Sequence, residues 1–506
     1  MSERIHRNTI GDALHRAATH FGTRPAISYA ERDWSFVELD QAASRIAHHL
    51  LGLGLRRGDR VAAYGRNSDC YLLLWLACVR GGFVHVPVNY ALTGEELAYI
   101  GQQSGAAAVF YDAALQSHLT ALPGLPAYDF AVLVAVARDA ALPATDTADV
   151  GEGDLAQLLY TSGTTALPKG AAMSHRALMA EYQSCIVALE LSGRDRGLAA
   201  LPLYHSAQMH VLVMPGLLVG SYSRILPAPA ADVVLELIER DGVTAFFAPP
   251  TVWISLLRHP DFDRRNLASL RSVFYGASIM PVPVLEELRQ RLPGARPFNC
   301  YGQSEIGPLA TVLAPEDHDA RPGSVGKAVF NVETRVVDPD MNDCAPGVHG
   351  EIVHRSPQLL NGYWDKPDAT DEAFAGGWFH SGDVGYFDAD GFLYIVDRIK
   401  DVINTGGVLV ASRDVEEALF THPAVSEVAV IALPDPKWIE AITAVVVLRP
   451  GQVVTEEALL AHARQHLAAF KLPKRVLFVD DLPRNTAGKL LKRELRRTLG
   501  ASTPWS

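Results

Sequence analysis

The chain has 506 residues, of which 48% are hydrophobic and 20% charged, and its formal net charge is −12. This is the composition of a globular protein with a large core, and the length predicts two to four domains or subdomains. The acidic balance argues against nucleic acid as a partner, whereas small anions such as polyphosphates need only local positive potential.

The cysteines and the apolar segments indicate in which cellular compartment the protein is expected. The five cysteines form no C-x-x-C pair, so neither a disulfide framework nor a zinc site is expected, and a reducing, cytoplasmic setting is predicted. The N-terminal segment is polar and lacks the apolar core of a signal peptide. The longest apolar run, 71–79, is too short to cross a bilayer, so no transmembrane segment is predicted and the run is expected to be a buried helix.

Strand and helix signals alternate from about residue 58 to residue 300. Residues 11–54 are predicted to be helical, whereas 58–65, 106–111 and 130–136 are predicted to be strands. This alternation predicts parallel sheets covered by helices, an α/β fold.

The pattern of strand, helix and turn signals changes at about residue 324. Short strands separated by glycine and aspartate turns predict an antiparallel, β-barrel-like subdomain up to Arg398, and a compact α+β unit follows. The expected domains are therefore a large N-terminal domain, 1–398, and a small mobile C-terminal domain, 399–506. The short connection between them would restrict any movement to a few backbone rotations.

The segment LLYTSGTTALPKG, residues 158–170, is the first that suggests chemistry. A buried strand runs into a stretch of Ser, Thr and Gly that ends near Lys169. Such residues let backbone N–H and hydroxyl groups converge on a polyphosphate, although the Gly-Lys-Ser/Thr of a Walker loop is absent. Taken alone, a segment of this kind is more often a polar surface loop.

Three further segments are weak alone. His205 in PLYHSAQMH is either a pocket gate or a core histidine. The strand VFYGAS ends in Gly276, which would let a flat ring lie against the backbone. Glu305 in NCYGQSEIG is either a magnesium ligand or an exposed loop acid.

Two segments near the C-terminus complete the series. Asp383 and Arg398 flank a glycine-rich stretch in which they could hydrogen-bond the hydroxyls of a ribose. Lys489 follows a Thr-Ala-Gly turn and precedes a basic helix. The basic helix by itself would be interpreted as a solvent-exposed helix face.

Together and in this order, these segments resemble the ANL superfamily of adenylate-forming enzymes, which contains acyl-CoA synthetases, peptide-synthetase adenylation domains and luciferases. The resemblance spans about residues 10–495, includes the TSGTT-x-x-PKG loop, and is greatest to bacterial fatty-acid and related acyl-CoA ligases. It implies ATP-dependent, magnesium-dependent activation of a carboxylic acid to acyl-AMP, then thioester formation with coenzyme A as the small domain swings.

The resemblance implies roles for individual residues in the first half-reaction. Lys489, Glu305 and His205 would be catalytic, with Glu305 and Thr161 near the metal and Lys400 at the hinge. The implied ATP and AMP contacts are Thr161, Ser162, Gly163, Thr164, Thr165, Lys169, Gly276, Ala277, Tyr301, Gly302, Ser304, Asp383 and Arg398.

The second half-reaction and the acid are less closely defined. The implied coenzyme A contacts, which plain packing or surface charge would explain equally, are Gly406, Gly407, Trp438, Lys471, Lys474 and Arg475. The expected acyl pocket is lined by His205, Ala207, Gln208, Met209, Phe246, Phe247 and Tyr275. These side chains offer no obvious charge partner, so a bulky apolar monocarboxylic acid, such as a fatty acid, is predicted.

Three places depart from the family pattern, of which Ser304, in place of a threonine, is the mildest. Ala166 replaces a glycine of the phosphate loop, and Val408 and Leu409 replace a Glu-Asn pair. They allow the hypothesis that one half-reaction is weakened, for example in favour of supplied acyl-AMP. The alternatives are an adenylation enzyme that loads a carrier protein in trans, a luciferase-like oxygenase, and a non-catalytic acyl or nucleotide sensor.

Overall fold

Four β-sheets with the helices packed on them form the part of the chain that the structure describes. The structure is a computed structural model, and it describes residues 6–145, 149–161, 167–278, 280–406, 408–484 and 490–501. The sheets are a mainly parallel pair in the first 330 residues and two largely antiparallel sheets after them. This is the α/β architecture with a smaller C-terminal unit that the sequence predicts.

The largest sheet has nine strands, and its central strands run parallel. Parallel strands are covered by helices on both faces, which explains their nearly continuous apolar sequences. In spatial order the strands are Lys327–Ala328, Thr311–Leu313, Arg296–Tyr301, Ser272–Gly276, Ala245–Ala248, Arg196–Ala199, Tyr222–Ile225, Pro25–Tyr29 and Arg32–Ser35.

The second sheet has six strands and is parallel except for its last pair. That antiparallel pair is the one that flanks the Ser/Thr/Gly-rich stretch. In spatial order the strands are Ala127–Asp129, Ala106–Tyr111, Arg60–Tyr64, Val84–Val88, Leu155–Thr161 and Lys169–Ser174.

Helices cover both parallel sheets, and shorter ones follow in the C-terminal part. The α-helices of the first 400 residues are Ile10–Phe21, Phe36–Gly52, Asp69–Gly81, Gly94–Ser104, Val132–Arg138, His175–Ala188, Met214–Leu218, Ala231–Asp241, Pro250–Arg258, Val282–Arg291 and Pro367–Ala373. Later helices are Ser412–Phe420, Glu456–Ala463 and Lys492–Ala501. A π-helical segment, Ala207–Val213, precedes Met214–Leu218.

The apolar run near residue 75 is a buried helix, as the sequence predicts. Every residue of Asp69–Gly81 is buried, and a helix that is apolar on all sides belongs in a core. Asp69 at its start accepts hydrogen bonds from the Arg32 guanidinium and the Trp34 indole. Among the described residues, no helix is long and apolar enough to cross a membrane.

Two predicted segments differ in the structure. Residues 11–54 contain a strand pair, 25–29 and 32–35, which the sequence analysis missed because its pairing partner, Tyr222–Ile225, is remote in sequence. Residues 130–136, predicted as a strand, lead into the helix Val132–Arg138. Its buried residues recur at helical spacing and pack beside the helix Phe36–Gly52, so tertiary contacts override the β-branched composition.

The antiparallel part begins with a four-stranded sheet, whose strands are Glu333–Val337, Gly350–Arg355, Phe379–Phe387 and Leu393–Arg398. A five-stranded sheet follows, made of Val408–Val410, Ile403–Thr405, Ile439–Leu448, Val425–Asp435 and Arg475–Phe478. One sheet therefore ends at Arg398 and the next begins at Ile403. Only four residues separate them.

A chain of buried polar groups crosses the interior between the two parallel sheets. Tyr182 donates to Nδ1 of His210 at 2.8 Å, and Nε2 of His210 donates to the Gln157 carbonyl oxygen at 2.7 Å. The Gln157 amide in turn donates to Nδ1 of His85 at 3.0 Å. Burial lowers the pKa of both His85 and His210 to about 3, so each is neutral in the folded protein.

These neutral histidines predict loss of stability in mild acid. A histidine whose folded pKa lies below its unfolded value of about 6.5 stabilises the fold above that value and loses the contribution as the pH falls towards 3. Each should remove about 1.4 kcal/mol of unfolding free energy per pH unit in that window. Urea unfolding at pH 7 and pH 5 measures the effect.

His210→Gln should make the pH dependence shallower, because one titrating group is lost. His20→Gln is the matched control, since His20 is exposed. Equal urea midpoints at pH 7 and pH 5 for the unmodified chain would contradict the interpretation.

Candidate active site

The two strands that flank the Ser/Thr/Gly-rich stretch bring its ends together. Leu155–Thr161 pairs antiparallel with Lys169–Ser174, and Thr161 lies directly opposite Lys169. The ammonium of Lys169 lies 5.0 Å from the ring centroid of Tyr363. The predicted phosphate contacts Ser162, Gly163, Thr164 and Thr165, together with Ala166, lie outside the described residues.

Glu305 is the acidic group at this place. It is 8% exposed, and its Oε1 accepts hydrogen bonds from the Thr161 hydroxyl and the Tyr363 hydroxyl, both at 3.1 Å. The neighbouring Ser304 hydroxyl lies 2.9 Å from that of Ser206. The structure thus joins three distant parts of the sequence around one carboxylate. Sequence reasoning missed Tyr363, because nothing in the segment Asn-Gly-Tyr-Trp distinguishes it from an ordinary turn.

Glycines are required where backbones approach closely near this carboxylate. Gly276 pairs with Cys300 across parallel strands, and a Cβ on Gly276 would lie 2.2 Å from the Cys300 carbonyl oxygen. A Cβ on Gly302 would lie 1.9 Å from the Pro308 carbonyl oxygen. Ala277 has a left-handed φ of 62° and is exposed. Neighbouring backbone therefore fills the space where a side chain would begin, which is why glycine is required at positions 276 and 302.

Asp383 and Arg398 lie side by side, as expected. They are directly opposite in adjacent strands, and Nε of Arg398 lies 3.3 Å from Oδ1 of Asp383. The Tyr301 hydroxyl donates to Oδ2 of Asp383 at 2.7 Å. Burial and then the neighbouring Asp383 carboxylate raise the pKa of Tyr301 well above its usual range. A carboxylate oriented by two donors in this way can accept hydrogen bonds from adjacent hydroxyls.

The four-residue connection after Arg398 is tied to the C-terminal unit. Asp397 accepts hydrogen bonds from the Ser412 amide and hydroxyl at 2.6 and 2.7 Å, and Arg496 donates to Asp401 at 2.5 Å. Burial, and then the nearby Arg398 guanidinium, lower the pKa of Lys400 to about 8. Lys489, the predicted catalytic lysine, lies outside the described residues.

Four of the predicted coenzyme A residues lie in one area. The Gly406 amide donates to the Trp438 carbonyl at 2.6 Å, and the Lys474 ammonium lies 4.7 Å from a Trp438 ring centroid. Arg475 lies 3.4 Å from a carboxylate oxygen of Asp435, whose other oxygen accepts from the Trp438 amide.

The remaining two coenzyme A predictions are not part of that group. Lys471 is paired with Asp414 at 2.5 Å, and Gly407 lies outside the described residues. Val408 and Leu409, which depart from the family pattern, are 45% and 69% exposed. Their side chains are therefore accessible in this arrangement.

The residues of the predicted acyl pocket lie in several places. His205 and Ala207 flank Ser206, the partner of Ser304, and Ala207 packs in the same apolar cluster as Phe247 and Tyr301. We call Ala207 and Phe247 the apolar wall; it adjoins Ser206, whose hydroxyl contacts Ser304, the residue before Glu305.

The structure does not bring the other four predicted pocket residues to this wall. Because side chains alternate along a strand, Phe246 points away from Phe247 and packs with Tyr275 in a separate core. Met209 is fully buried in the main core, and the Gln208 carbonyl oxygen accepts a hydrogen bond from the Leu201 amide. Of the predicted lining residues, only His205, Ala207 and Phe247 therefore lie in or next to the apolar wall.

Comparison with known proteins identifies the class. The model of the AMP-binding enzyme family matches residues 14–364, and that of the AMP-binding enzyme C-terminal domain matches residues 414–489. The chain therefore belongs to the AMP-binding enzyme family, within the ANL superfamily.

Three of the curated relatives are acid–CoA ligases. The chain is 36% identical to a feruloyl-CoA synthase of Amycolatopsis sp over 96% of both chains. It is 31% identical to an indoleacetate–CoA ligase of Aromatoleum aromaticum, over 96% of this chain and 97% of the relative. It is 32% identical to a long-chain-fatty-acid–CoA ligase of Salmonella typhimurium, over 96% of this chain and 93% of the relative.

Solved structures share the fold. ATP-bound MatB from Rhodopseudomonas palustris is 32% identical and superimposes with a TM-score of 0.90 over 97% of this chain and 99% of MatB. For the apo form of MatB, the TM-score is 0.79 with the same coverage. The chain is thus an AMP-forming acid–thiol ligase that uses ATP, magnesium, coenzyme A and a small carboxylic acid.

The residues present fit a magnesium ion carried by a nucleotide. The described residues contain no group of three or more His, Cys, Asp or Glu side chains that could hold a metal alone. The Glu305 carboxylate and the Thr161 hydroxyl instead offer two hard oxygens 3.1 Å apart. Magnesium takes few protein ligands of this kind and completes its shell with water and phosphate oxygens.

Tyr363→Phe tests the hydrogen bonds around Glu305. The variant keeps the ring near Lys169 but removes one of the two donors to Oε1, so kcat/KM for ATP should fall about tenfold, as for the loss of a bond to a charged group. AMP release with ATP as the varied substrate measures it. Tyr386→Phe is the control, since Tyr386 stacks on Tyr394 within the four-stranded sheet. Equal rates for the two variants would contradict the role of Tyr363.

Proposed function

We propose that the chain converts a bulky apolar monocarboxylic acid, of the fatty or arylalkyl kind, to its coenzyme A thioester through an acyl-adenylate. The observation that carries the proposal is the apolar wall of Ala207 and Phe247, which adjoins Ser206 and, through the Ser206–Ser304 hydroxyl contact, the residue before Glu305. A carboxylate whose hydrocarbon part lies on this wall would point its charged end towards the nucleotide phosphates.

The first half-reaction requires stabilisation of negative charge. The acid's carboxylate oxygen attacks the α-phosphorus of ATP, which forms an acyl–phosphate bond and releases pyrophosphate. In this proposal Lys169 and Lys489 neutralise the phosphate charge, Glu305 and Thr161 hold magnesium, and Asp383 with Arg398 fixes the ribose. Magnesium, when bound, withdraws charge from the phosphate oxygens.

The second half-reaction exchanges AMP for a thiol. The thiolate of coenzyme A attacks the acyl carbon, and AMP leaves with the bonding electrons. Trp438, Lys474 and Arg475 are proposed to bind the coenzyme near Gly406, since an indole with two adjacent cations suits a polyanionic ligand.

We place the domain boundary at 398–401, with Lys400 as the hinge. Only four residues separate the two antiparallel sheets, so rotation there would move the small domain as one body. The higher TM-score to ATP-bound than to apo MatB supports assigning the described arrangement to the nucleotide-bound, adenylate-forming state. In that state Val408 and Leu409 would lie outside the site, in agreement with their exposure.

The compartment proposed is the cytoplasm. All five cysteines are free thiols in the structure, and four of them are buried. Buried unpaired thiols suit a reducing environment, in which disulfide exchange does not threaten the core.

Lys489→Ala tests the first half-reaction. Loss of one charge-stabilising donor should lower ATP-dependent acyl-CoA formation by roughly two to three orders of magnitude. Conversion of supplied acyl-AMP should be much less affected, because that step does not involve the attack on the α-phosphorus. Arg493→Ala, an exposed cation four residues later, is the control. A Lys489→Ala rate within tenfold of the control would contradict the assignment.

An acid panel tests the substrate class. Saturated acids from octanoate to hexadecanoate, with benzoate and cinnamate, should be assayed with ATP, magnesium and coenzyme A, and again with synthetic acyl-AMP. We expect AMP and acyl-CoA from the bulkier apolar acids. Acyl-AMP without thioester would favour a carrier-protein acceptor, and turnover from acyl-AMP alone would point to Ala166 and a weakened first step.

A further inference from the structure

The buried carboxylic acid Glu181 plays no part in the chemistry proposed above. It lies in the helix His175–Ala188, is fully buried, and accepts three hydrogen bonds. The donors are the Leu309 amide at 3.0 Å, the Gln358 side-chain amide at 2.5 Å and the Cys185 thiol at 3.2 Å. Burial raises the pKa of Glu181 to about 8, so retaining an acid here costs stability that an apolar residue would not.

Gln358 extends this contact to the backbone on either side of Pro308. Its amide nitrogen lies 3.0 Å from the carbonyl oxygens of both Ile306 and Leu309. Its carbonyl oxygen accepts a hydrogen bond from Ser184 at 2.6 Å, which fixes the orientation of the amide. Glu181 and Gln358 therefore hold Leu309 by both its N–H and its C=O.

The segment held in this way carries Glu305. We call residues 302–310 the Glu305 loop. Its opposite side is fixed by the Leu360 amide, which donates to the Glu305 carbonyl at 2.9 Å. At Gly307 a Cβ would lie 3.0 Å from the Glu181 side chain, so the loop and the helix are in close contact. Glu181 and Gln358 therefore hold one side of the loop, while the Glu305 carboxylate at another side accepts a hydrogen bond from Thr161.

We propose that Glu181 and Gln358 are positioning residues that hold the Glu305 loop in the geometry that binds magnesium–nucleotide. The inference rests on the proposed role of Glu305 as a metal ligand. A loop of nine residues with two glycines has many conformations in isolation, and the buried hydrogen bonds select one of them. The functional reason for a costly buried acid is then the affinity of the site for the metal, which depends on how well its oxygens are preorganised.

Glu181→Leu removes the acceptors beneath the loop while keeping an apolar side chain of similar size. The magnesium concentration for half-maximal rate at fixed ATP should rise about tenfold, because the loop no longer presents Glu305 in one geometry. Binding of Mn²⁺ in the presence of ATP, followed by electron paramagnetic resonance without turnover, should weaken by a similar factor. Gln358→Met should produce the same shift if Glu181→Leu folds poorly.

Asp69→Asn is the matched control, because Asp69 is also a fully buried, hydrogen-bonded carboxylate but lies at the start of another helix. It should lower Tm without changing the magnesium dependence. If Glu181→Leu and Gln358→Met likewise lower Tm and leave Mn²⁺ binding unchanged, the positioning role is wrong.

A double-variant cycle separates this inference from the proposed function. In a Glu305→Gln background, Glu181→Leu should change Mn²⁺ binding less than twofold, since it acts only through Glu305. Full additivity of the two effects would overturn the inference while leaving Glu305 as a metal ligand. If Glu305→Gln alone leaves Mn²⁺ binding unchanged, the proposed metal role fails, and the inference with it.

Discussion

The hydrogen bonds that Thr161 and Tyr363 donate to Glu305 are the contact on which the rest of the site depends. Thr161 ends a strand of the six-stranded sheet, Glu305 follows a strand of the nine-stranded sheet, and Tyr363 precedes the helix Pro367–Ala373. One carboxylate oxygen therefore fixes the relative position of three elements. The predicted nucleotide contacts Thr161 and Ser304 lie next to it, and the apolar wall adjoins Ser304 through Ser206.

A second constraint is the closeness of the antiparallel sheets on the two sides of the connection. Asp397 lies in one of them and caps the first helix of the C-terminal unit by its bonds to Ser412. Arg496 reaches back from the last helix to Asp401. Beside the connection, the two units are thus joined by the polar contacts of Asp397, and Phe420 of the C-terminal unit also packs against the apolar core of the nine-stranded sheet.

Much of the fold follows from local sequence, and the exceptions have a common cause. The alternation of apolar strands and amphipathic helices is visible without tertiary information, as is the buried helix Asp69–Gly81. The hairpin at 25–35 and the helix at 132–138 were missed because remote partners decide them. Contacts with remote segments do not change the hydrophobic periodicity of a short segment, so they cannot be predicted from it.

The same distinction applies to the site. The glycine-rich sequence around Glu305 and Asp383 suggests ligand binding, and the structure places Glu305 just after a strand, and Asp383 and Arg398 directly opposite each other in paired strands. The acyl pocket remains a prediction, and its residues do not all line one surface, because neighbours in sequence such as Phe246 and Phe247 face opposite sides of a strand. Glu181 and Gln358 were missed, since a helix acid and a loop amide reveal their shared role only when they meet in three dimensions.

The position of Arg398 has a thermodynamic consequence. It is the last residue of its strand, the partner of Asp383, and the residue that immediately precedes the four-residue connection. If nucleotide binds better with Arg398 held in the strand, linkage requires that the orientation of the C-terminal unit change nucleotide affinity by the same factor by which nucleotide shifts that orientation. Nucleotide binding and the orientation of the C-terminal unit would then be thermodynamically coupled through Arg398.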